Sequence, residues 1–318
     1  MSAATGAGSV AGTRVRAGRR GTPPSVTVSG SARRTLTSWT MLLPALVVFG
    51  LFLLYPLGQA VWTSFTNADG ITDGEFVGLQ NYRTMVGDPI FWRAAANTVG
   101  LAVISVPLAL GLGLVMALLL AGPVPGRWLF RALFLAPVVI SGVVVGITGQ
   151  WIFDENIGVV NAALEGLGLG TVRWQSEAGP AAVSVIAMLT WSRVGLVAVI
   201  YLGALLQVPG DLLEQAQLDG ASRWQRLRAV VVPLLRPTTF FLTVVLVIET
   251  FQVFDLVFVM TGGGPGSSTE LLVTYLYAQG FEARQQGYGT AIGVVVLVVI
   301  LAFTAVWYRA QSRNEQEV

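Results

Sequence analysis

The chain contains no cysteine, no histidine and no lysine among its 318 residues, so all 19 basic residues are arginines. The missing cysteine and histidine exclude a Ser-His-Asp triad, a thiol nucleophile and a Cys/His metal site. Without lysine there is also no P-loop, whose lysine must reach the nucleotide phosphates. If ATP drives this protein, a different subunit therefore hydrolyses it.

Charge of either sign is scarce. Only 11% of the residues are charged, whereas 54% are hydrophobic and the mean hydropathy is +0.69, which excludes an ordinary soluble domain. A helix needs about 20 mostly apolar residues to cross a bilayer, and six segments meet that length. They lie near 40–62, 95–121, 130–153, 181–206, 237–260 and 288–308. The sequence predicts an all-α integral membrane protein with six transmembrane helices.

The arginines predict the orientation of these helices, because positively charged loops stay in the cytoplasm. With a cytoplasmic amino terminus, fourteen arginines lie inside, four lie outside and one lies within a span. The inside set is Arg14, Arg16, Arg19, Arg20, Arg33, Arg34, Arg127, Arg131, Arg223, Arg226, Arg228, Arg236, Arg309 and Arg313. The outside set is Arg83, Arg93, Arg173 and Arg284. Both termini and the loop at 207–236 are therefore predicted to be cytoplasmic, with loops 63–94, 154–180 and 261–287 outside.

The ends of the chain differ from its apolar centre. Residues 1–38 are rich in Gly, Ala, Ser, Thr and Arg, so a disordered cytoplasmic amino terminus is predicted there. Arg33-Arg34 ahead of an apolar run is similar to a twin-arginine export signal. The run is longer than a signal peptide allows, which favours a retained first span. Residues 39–310 are predicted to form the transmembrane domain, and 311–318 a cytoplasmic tail.

The loop at 207–236 contains two helix-start patterns. Asp211-Leu-Leu-Glu214 and Ser222-Arg-Trp-Gln225 both fit a capping box, and Gly220 between them is typical of a helix end. The prediction is a helix–glycine–helix unit outside the bilayer. In a capping box, Glu214 would bind the backbone N–H of Asp211 and start the helix.

The string EQAQLDGASRWQRLRAVVVPLLRP in this loop closely resembles the EAA loop of ABC-importer permeases, where a short coupling helix docks on an ATPase subunit. Glu214, Ala216, Gly220 and Pro233 keep their places, whereas Gln215 stands where the family usually has alanine. The resemblance implies an ATPase-coupling site. Its residues would be Glu214, Ala216, Asp219, Gly220, Arg223 and Pro233.

Two further segments resemble sugar-importer permeases of the same family. Residues 76–82 resemble its F-x-G-L-x-N-Y segment, and residues 261–265 match its TGGGP. The glycine cluster is interpreted as a turn between helices and not as a phosphate cradle, because no strand precedes it and no lysine follows. The resemblance implies that this loop faces an extracytoplasmic binding protein. Its residues are Gly262, Gly263, Gly264 and Pro265.

Together these segments resemble the MalF/UgpA-type carbohydrate permeases from about residue 40 to 308. The resemblance implies half of a translocation pathway for a sugar or oligosaccharide in the bacterial inner membrane. The implied partners are a second, different permease chain, two ABC ATPases that use ATP and Mg, a solute-binding protein and membrane lipid, with no nucleic acid. No cofactor or metal is expected on this chain.

Polar residues within the predicted spans need an explanation, because each ionisable one costs about 2.5–3.5 kcal/mol to insert. The substrate-pathway candidates are Arg193, Glu249, Gln252, Asp255 and, more weakly, Gln150. One interpretation is a polar lining for a hydroxyl-rich solute, with Glu249, Gln252 and Asp255 along one helix stripe. The other is an Arg193–Glu249 ion pair that holds two helices in register.

Aromatic residues in the spans also have two interpretations. They either stack on sugar rings or pack between helices. The candidates are Trp191, Tyr201, Phe251 and Phe254.

Two other functions are consistent with parts of the sequence. A membrane enzyme for lipid-linked substrates should cluster carboxylates or metal ligands at one membrane face, yet the acidic residues outside have no such spacing. An importer for a non-sugar solute, such as a glycerophosphodiester or a polyamine, is the nearer alternative. A phosphorylated solute should need more than one pathway arginine, and Arg193 alone favours an uncharged sugar.

Overall fold

The computed structural model describes residues 31–72, 74–122 and 127–314. In this part of the chain the regular structure is helical, and the sole β-type pairing is a bridge between Thr66 and Phe76. The chain divides into two compact units, residues 1–55 and 56–318.

The helices are numbered in chain order. They are α1 (Ser31–Phe49), α2 (Tyr55–Thr63), α3 (Gln80–Val86), α4 (Pro89–Ala121), α5 (Arg127–Val139), α6 (Gly142–Ile152), α7 (Val159–Gly166), α8 (Ala178–Leu205), α9 (Gly210–Leu218), α10 (Arg223–Arg226), α11 (Val232–Leu234), α12 (Arg236–Phe251), α13 (Asp255–Met260), α14 (Leu272–Tyr277) and α15 (Gln286–Asn314). Three π-helical turns join neighbouring helices, at Gly50–Leu54, Leu227–Val231 and Ala278–Glu282.

Four helices are long and apolar enough to cross a membrane within the described residues: Trp39–Thr63, Pro89–Ala121, Ala178–Leu205 and Gln286–Arg309. They coincide with the first, second, fourth and sixth predicted spans. Arg223–Leu234 and Arg236–Phe251 would form a fifth if the pair, bent by 64°, counts as one span. The protein is therefore a multi-pass helical membrane protein.

The third predicted span, 130–153, is wrong as a single helix. The chain instead forms α5 and α6, which are separated at residues 140–141. Pro137 lies in the last turn of α5 and removes a backbone donor. Ser141 is extended, with φ −64° and ψ 147°, and α6 begins directly after it without a side-chain capping hydrogen bond.

The fifth predicted span, 237–260, is also interrupted. Helix α12 ends at Phe251, and α13 begins at Asp255. The predicted stripe of Glu249, Gln252 and Asp255 assumed one continuous helix, so it does not exist in that form. Gln252 instead lies at the end of α12 with an exposed side chain.

The helical structure begins earlier than predicted at the amino-terminal side. Helix α1 starts at Ser31, so residues 31–38 are helical where disorder was expected. The rest of the predicted disordered segment, residues 1–30, lies outside the described residues. At the other end α15 continues to Asn314, into the predicted tail.

Helices α4, α8 and α12 form a tightly packed centre. Gly113 of α4 faces Val197 of α8 so closely that a Cβ would overlap the valine side chain, and small residues of this kind let helices approach each other. The buried Tyr201 of α8 donates its hydroxyl to Thr239 Oγ1 of α12 at 2.9 Å. These contacts fix the helices that surround the polar residues.

The three loops predicted to lie outside share one end of the bundle. Gln150 donates to the carbonyl of Val259 at 2.7 Å, which joins the end of α6 to that of α13. Asn97 near the start of α4 donates to the carbonyls of Ser267 and Glu270. The loop at 207–236 follows α8 and therefore lies at the opposite end.

Candidate functional site

The loop between α8 and α12 folds as a helix–glycine–helix unit. Helix α9 ends in a Schellman arrangement, in which the N–H of Ala221 donates to Ala216 and the N–H of Gly220 donates to Gln217. Gly220 has a φ of +82°, a conformation that strains other residues. The predicted helix stop is confirmed.

Only one of the two predicted capping boxes is present. Ser222 and Gln225 satisfy each other's backbone N–H groups at the start of α10, as predicted. The box at Asp211–Glu214 is wrong, because α9 begins two residues earlier than that box requires, at Gly210 with Pro209 as the N-cap residue. Asp211 is thus in the first helical turn, where its carboxylate interacts favourably with the positive end of the helix dipole.

The loop leaves polar and apolar side chains exposed on one segment. The side chains of Glu214, Asp219 and Arg223 are all exposed. Leu218 and Trp224 flank Gly220 with 87% and 69% of their surfaces exposed. The sequence analysis missed these two residues, although a leucine and a tryptophan inside a polar loop were a visible signal.

The path from this loop back into the bundle is bent. Pro233 lies within α11, just before the bend of 64° that leads into α12. Arg226 donates to Gln217 Oε1 at 2.9 Å, so α9 and α10 are also tied to each other by side chains. A short, bent connection therefore joins the loop to α12.

A polar cavity of about 250 Å³ lies where α5–α6 and α12–α13 are interrupted. Its lining includes Ile140, Ser192, Arg193 and Asp255. A larger cavity of about 350 Å³, beside Gly289 and Gly293 of α15, has an almost entirely apolar lining. Two of the ionisable pathway candidates, Arg193 and Asp255, line the polar cavity.

Arg193 and Glu249 form an ion pair across α8 and α12. Their Nη1 and Oε2 atoms are 3.1 Å apart, and each side chain is about one third exposed. The approach is not aligned as a hydrogen bond, since Glu249 Oε2 has no hydrogen-bond partner among the described residues. The two side chains therefore attract each other mainly through their opposite charges and not through a hydrogen bond.

Asp255 fits against the start of α6. A Cβ on Gly142 would overlap the Asp255 carboxylate, so the glycine makes room for it. One carboxylate oxygen of Asp255 also accepts from the backbone N–H of Leu256 at 2.9 Å. The carboxylate therefore lies at the beginning of both α6 and α13.

The other pathway candidates lie apart from this cavity. Gln252 is exposed beyond the end of α12, and the Gln150 amide is used in the backbone contact to α13. Tyr201 and Phe251 are buried and pack between helices. Phe254 stacks on Phe258 with ring centres 4.9 Å apart. Trp191, in contrast, is 44% exposed.

The TGGGP segment is a turn fastened to α4. Thr269 donates its hydroxyl to the carbonyl of Gly264 at 2.7 Å, which closes the turn. Gly263 has a φ of +84°, and a Cβ there would overlap the carboxylate of Glu270. Burial raises the pKa of Glu270 above its ordinary value, despite a hydrogen bond from Thr274. The segment has the turn structure that the sequence predicted.

The segment at 76–82 fastens the end of α2. Asn81 donates to the carbonyls of Ser64 and Thr66 at 2.9 and 2.8 Å, and the Tyr82 hydroxyl lies 2.7 Å from that of Ser64. Phe76 stacks on Trp62 with a centroid distance of 5.6 Å. Phe76, Asn81 and Tyr82, which belong to the F-x-G-L-x-N-Y segment, therefore hold the end of α2 in place.

Asp88 joins three helices at the same end, a contact that the sequence analysis missed. Its Oδ1 caps α4 through the N–H groups of Ile90 and Phe91. Its Oδ2 accepts from the hydroxyls of Tyr275 and Tyr288 at 2.5 and 2.6 Å. Burial acts to raise the pKa of Asp88, but these hydrogen bonds outweigh it and hold the pKa below its ordinary value.

The described residues contain no group of three carboxylate side chains that could hold a metal ion. Two acidic residues of the loops predicted to lie outside instead close local turns: Asp69 accepts from the N–H groups of Ile71 and Thr72, and Asp154 from those of Asn156 and Ile157. These backbone hydrogen bonds lower the pKa values of both aspartates.

Helices that are interrupted around a polar cavity are typical of membrane transport proteins. This chain has that arrangement, with a compact loop at one end of the bundle, and therefore falls in this class. Residues 34–316 match the family described as the binding-protein-dependent transport system inner membrane component, and the chain belongs to this family of ABC-importer permeases.

Named relatives cover nearly the whole chain. It is 35% identical over 272 residues to the sulfoquinovosyl glycerol transport system permease protein SmoG of Agrobacterium fabrum, which covers 85% of this chain and 88% of that protein. It is also 35% identical over 274 residues to the diacetylchitobiose uptake system permease protein NgcF of Streptomyces coelicolor, with 82% and 78% covered.

A solved structure has the same fold. A chain of the bacterial alginate ABC transporter, in complex with an alginate pentasaccharide-bound periplasmic protein, matches with a TM-score of 0.78 at 24% identity. The match covers 89% of this chain and 96% of that chain.

Proposed function

We propose that this chain is one of two permease subunits of an ATP-driven importer for a sugar or an oligosaccharide. A solute-binding protein delivers the solute from outside, and two ATPase subunits, which use ATP and Mg, bind inside. Six passes place both termini in the cytoplasm of a bacterium, with α5–α6 and α12–α13 as the interrupted third and fifth passes.

The observation that carries this proposal is the helix–glycine–helix unit at 210–226 within a chain of the importer-permease family. Its exposed Glu214, Leu218 and Trp224 form a surface on which an ATPase subunit can dock. The Schellman turn and the Ser222 box make the unit stiff, and the bend before α12 carries its movement into the bundle. The rest of this coupling site is Ala216, Asp219, Gly220, Arg223 and Pro233.

The polar cavity is this chain's part of the substrate pathway. At about 250 Å³ it is smaller than the roughly 300–1,000 Å³ of typical ligand pockets. It therefore suits one sugar ring, with the remainder of the site supplied by the second permease chain. Its polar lining residues are Ser192, Arg193 and Asp255, and Glu249 contacts Arg193. The other two pathway candidates, Gln252 and Gln150, lie apart from the cavity.

The sugar assignment is supported by the relatives, whose names include both a diacetylchitobiose and a sulfoquinovosyl glycerol system. The turn at Gly262, Gly263, Gly264 and Pro265 lies at the end of the bundle where the binding protein is expected. The alginate transporter of the same fold has its periplasmic protein bound, which supports such a partner.

The test is uptake of a panel of labelled mono- and disaccharides by a strain that lacks this chain and by the complemented strain. We expect one sugar, or a small group, to be lost and then restored. If uptake of every sugar on the panel is unchanged, while a glycerophosphodiester or a polyamine is lost, the sugar assignment is wrong and the permease assignment remains.

A further inference from the structure

The polar cavity contains two places where an anion would be expected to bind. One is the guanidinium of Arg193, a bidentate partner for carboxylates and sulfonates. The other is the start of α6 at Gly142, where free N–H groups and the helix dipole favour negative charge. Both places line the same cavity of about 250 Å³.

A carboxylate of the protein lies beside each place. Glu249 Oε2 lies 3.1 Å from Arg193 Nη1 and neutralises its charge. The Asp255 carboxylate lies against Gly142, with one oxygen bound to the N–H of Leu256. A negative group on a solute would therefore meet a carboxylate at each place.

The fit at Gly142 indicates that the Asp255 carboxylate belongs there. Any side chain at residue 142 would overlap the carboxylate, so the absence of a Cβ is what admits it. Among the described residues that line the cavity, Arg193 is the only basic one, and Glu249 lies beside it, so no second cation in this lining offsets the Asp255 carboxylate. An ionised carboxylate accepts hydrogen bonds and donates none, so it can bind hydroxyl and ammonium groups of a solute but not a second anion.

We propose that Asp255 is a specificity residue, which excludes anionic sugars from this chain's half of the pathway and admits neutral sugars and amino sugars. The Asp255 carboxylate is itself an anion in the cavity lining. A uronate or a sulfonate on a solute would therefore be repelled by a like charge. The hydroxyls of a neutral ring, or an ammonium group, can donate to it instead. This inference rests on the proposed function, because it assigns the charge of the sugar carried by the same site.

The test uses the absence of cysteine from this chain. Ser192→Cys places one thiol in the cavity lining, and Val138→Cys is a second reporter in case the first fails to assemble. Membrane vesicles with the whole complex are treated with cationic trimethylammonium-ethyl or anionic sulfonatoethyl methanethiosulfonate, at rest and during ATP turnover. The ratio of the two labelling rates on this chain is compared with the ratio for a small thiol in solution.

We expect the cavity thiol to favour the cationic reagent at least about fivefold more than the solution thiol does, because the reagents differ by two charges. Asp255→Asn should bring the ratio back toward the solution value, and Asp255→Glu should keep it high. The matched control Asp69→Asn, in an exposed outer loop, should change nothing.

Three outcomes would overturn the inference: equal or faster labelling by the anionic reagent, a ratio unaffected by Asp255→Asn, or no labelling by either reagent in any state. If this happens while sugar uptake still depends on the chain, only the inference fails. If no sugar uptake depends on the chain, the proposed function fails.

Discussion

Replacing Asp88 by alanine removes the contact that joins α4, α14 and α15 at one end of the bundle. One carboxylate oxygen caps α4, and an N-cap contributes about 1 kcal/mol. The other oxygen accepts from the hydroxyls of Tyr275 and Tyr288, and leaving each largely buried phenol unpaired costs about 1 kcal/mol or more. We expect Asp88→Ala to lower the free energy of unfolding by about 3 kcal/mol.

The assay is the thermal midpoint of the detergent-solubilised complex. The midpoint should fall by roughly 5 °C or more in Asp88→Ala. Tyr275→Phe and Tyr288→Phe should each give a smaller loss. Asp69→Ala is the matched control, because Asp69 also accepts two backbone N–H groups but in an exposed turn. If Asp88→Ala and Asp69→Ala have equal thermal midpoints, the contacts of Asp88 with α4, α14 and α15 do not contribute the predicted stability.

The same contact predicts a pH dependence with a defined sign. The folded-state pKa of Asp88 lies below its unfolded value, so its contribution is present above about pH 4 and is lost as the pH falls through the folded pKa. Burial and the bond to Asp88 raise the pKa of Tyr275, so its contribution is complete below about pH 10 and is lost at higher pH. Midpoints measured from pH 3 to 11 should be less dependent on pH at both ends in Asp88→Ala than in the wild type.

The remaining predictions concern packing and charge inside the bundle. Arg193→Leu should lower the thermal midpoint, because it leaves Glu249 unpaired. Adding Glu249→Leu should restore stability without restoring uptake. If the double variant takes up solute at the wild-type rate, the ion pair has only a structural role. Gly289→Val should cost about 2 kcal/mol, because its Cβ would lie 2.7 Å from a backbone Cα of the neighbouring turn. Gly100→Ala on the open face of α4 is its control, and equal midpoints would contradict the packing. Gly263→Ala should reduce uptake, since both its φ of +84° and the nearby carboxylate exclude a side chain.

The sequence predicted those features that depend on local residues. Four spans follow from their apolar length, and the turn at Gly220 and the cap at Ser222 follow from short patterns. The failed box at Asp211–Glu214 was also local, but the helix starts two residues earlier, directly after Pro209.

The breaks in the third and fifth spans could not be predicted in the same way. Pro137 is a local signal near the first break, but the break positions also bring Asp255 against Gly142, a contact between segments far apart in the chain. An apolar run has the same composition whether or not its helix is interrupted. For the same reason the sequence left both interpretations of Arg193 and Glu249 open, and the structure brings the two side chains together.

The most direct test of the coupling role proposed for the loop at 207–236 measures ATP hydrolysis and solute uptake together in vesicles containing the reconstituted complex. In Glu214→Arg we expect uptake to be lost while the chain still assembles with the second permease, because the charge reversal lies on the exposed face of α9. Glu165→Arg, an exposed charge reversal at the opposite end, should transport like the wild type. Normal uptake by Glu214→Arg, with the ATPase still bound, would contradict the assignment of this loop as the site where the permease meets its ATPase.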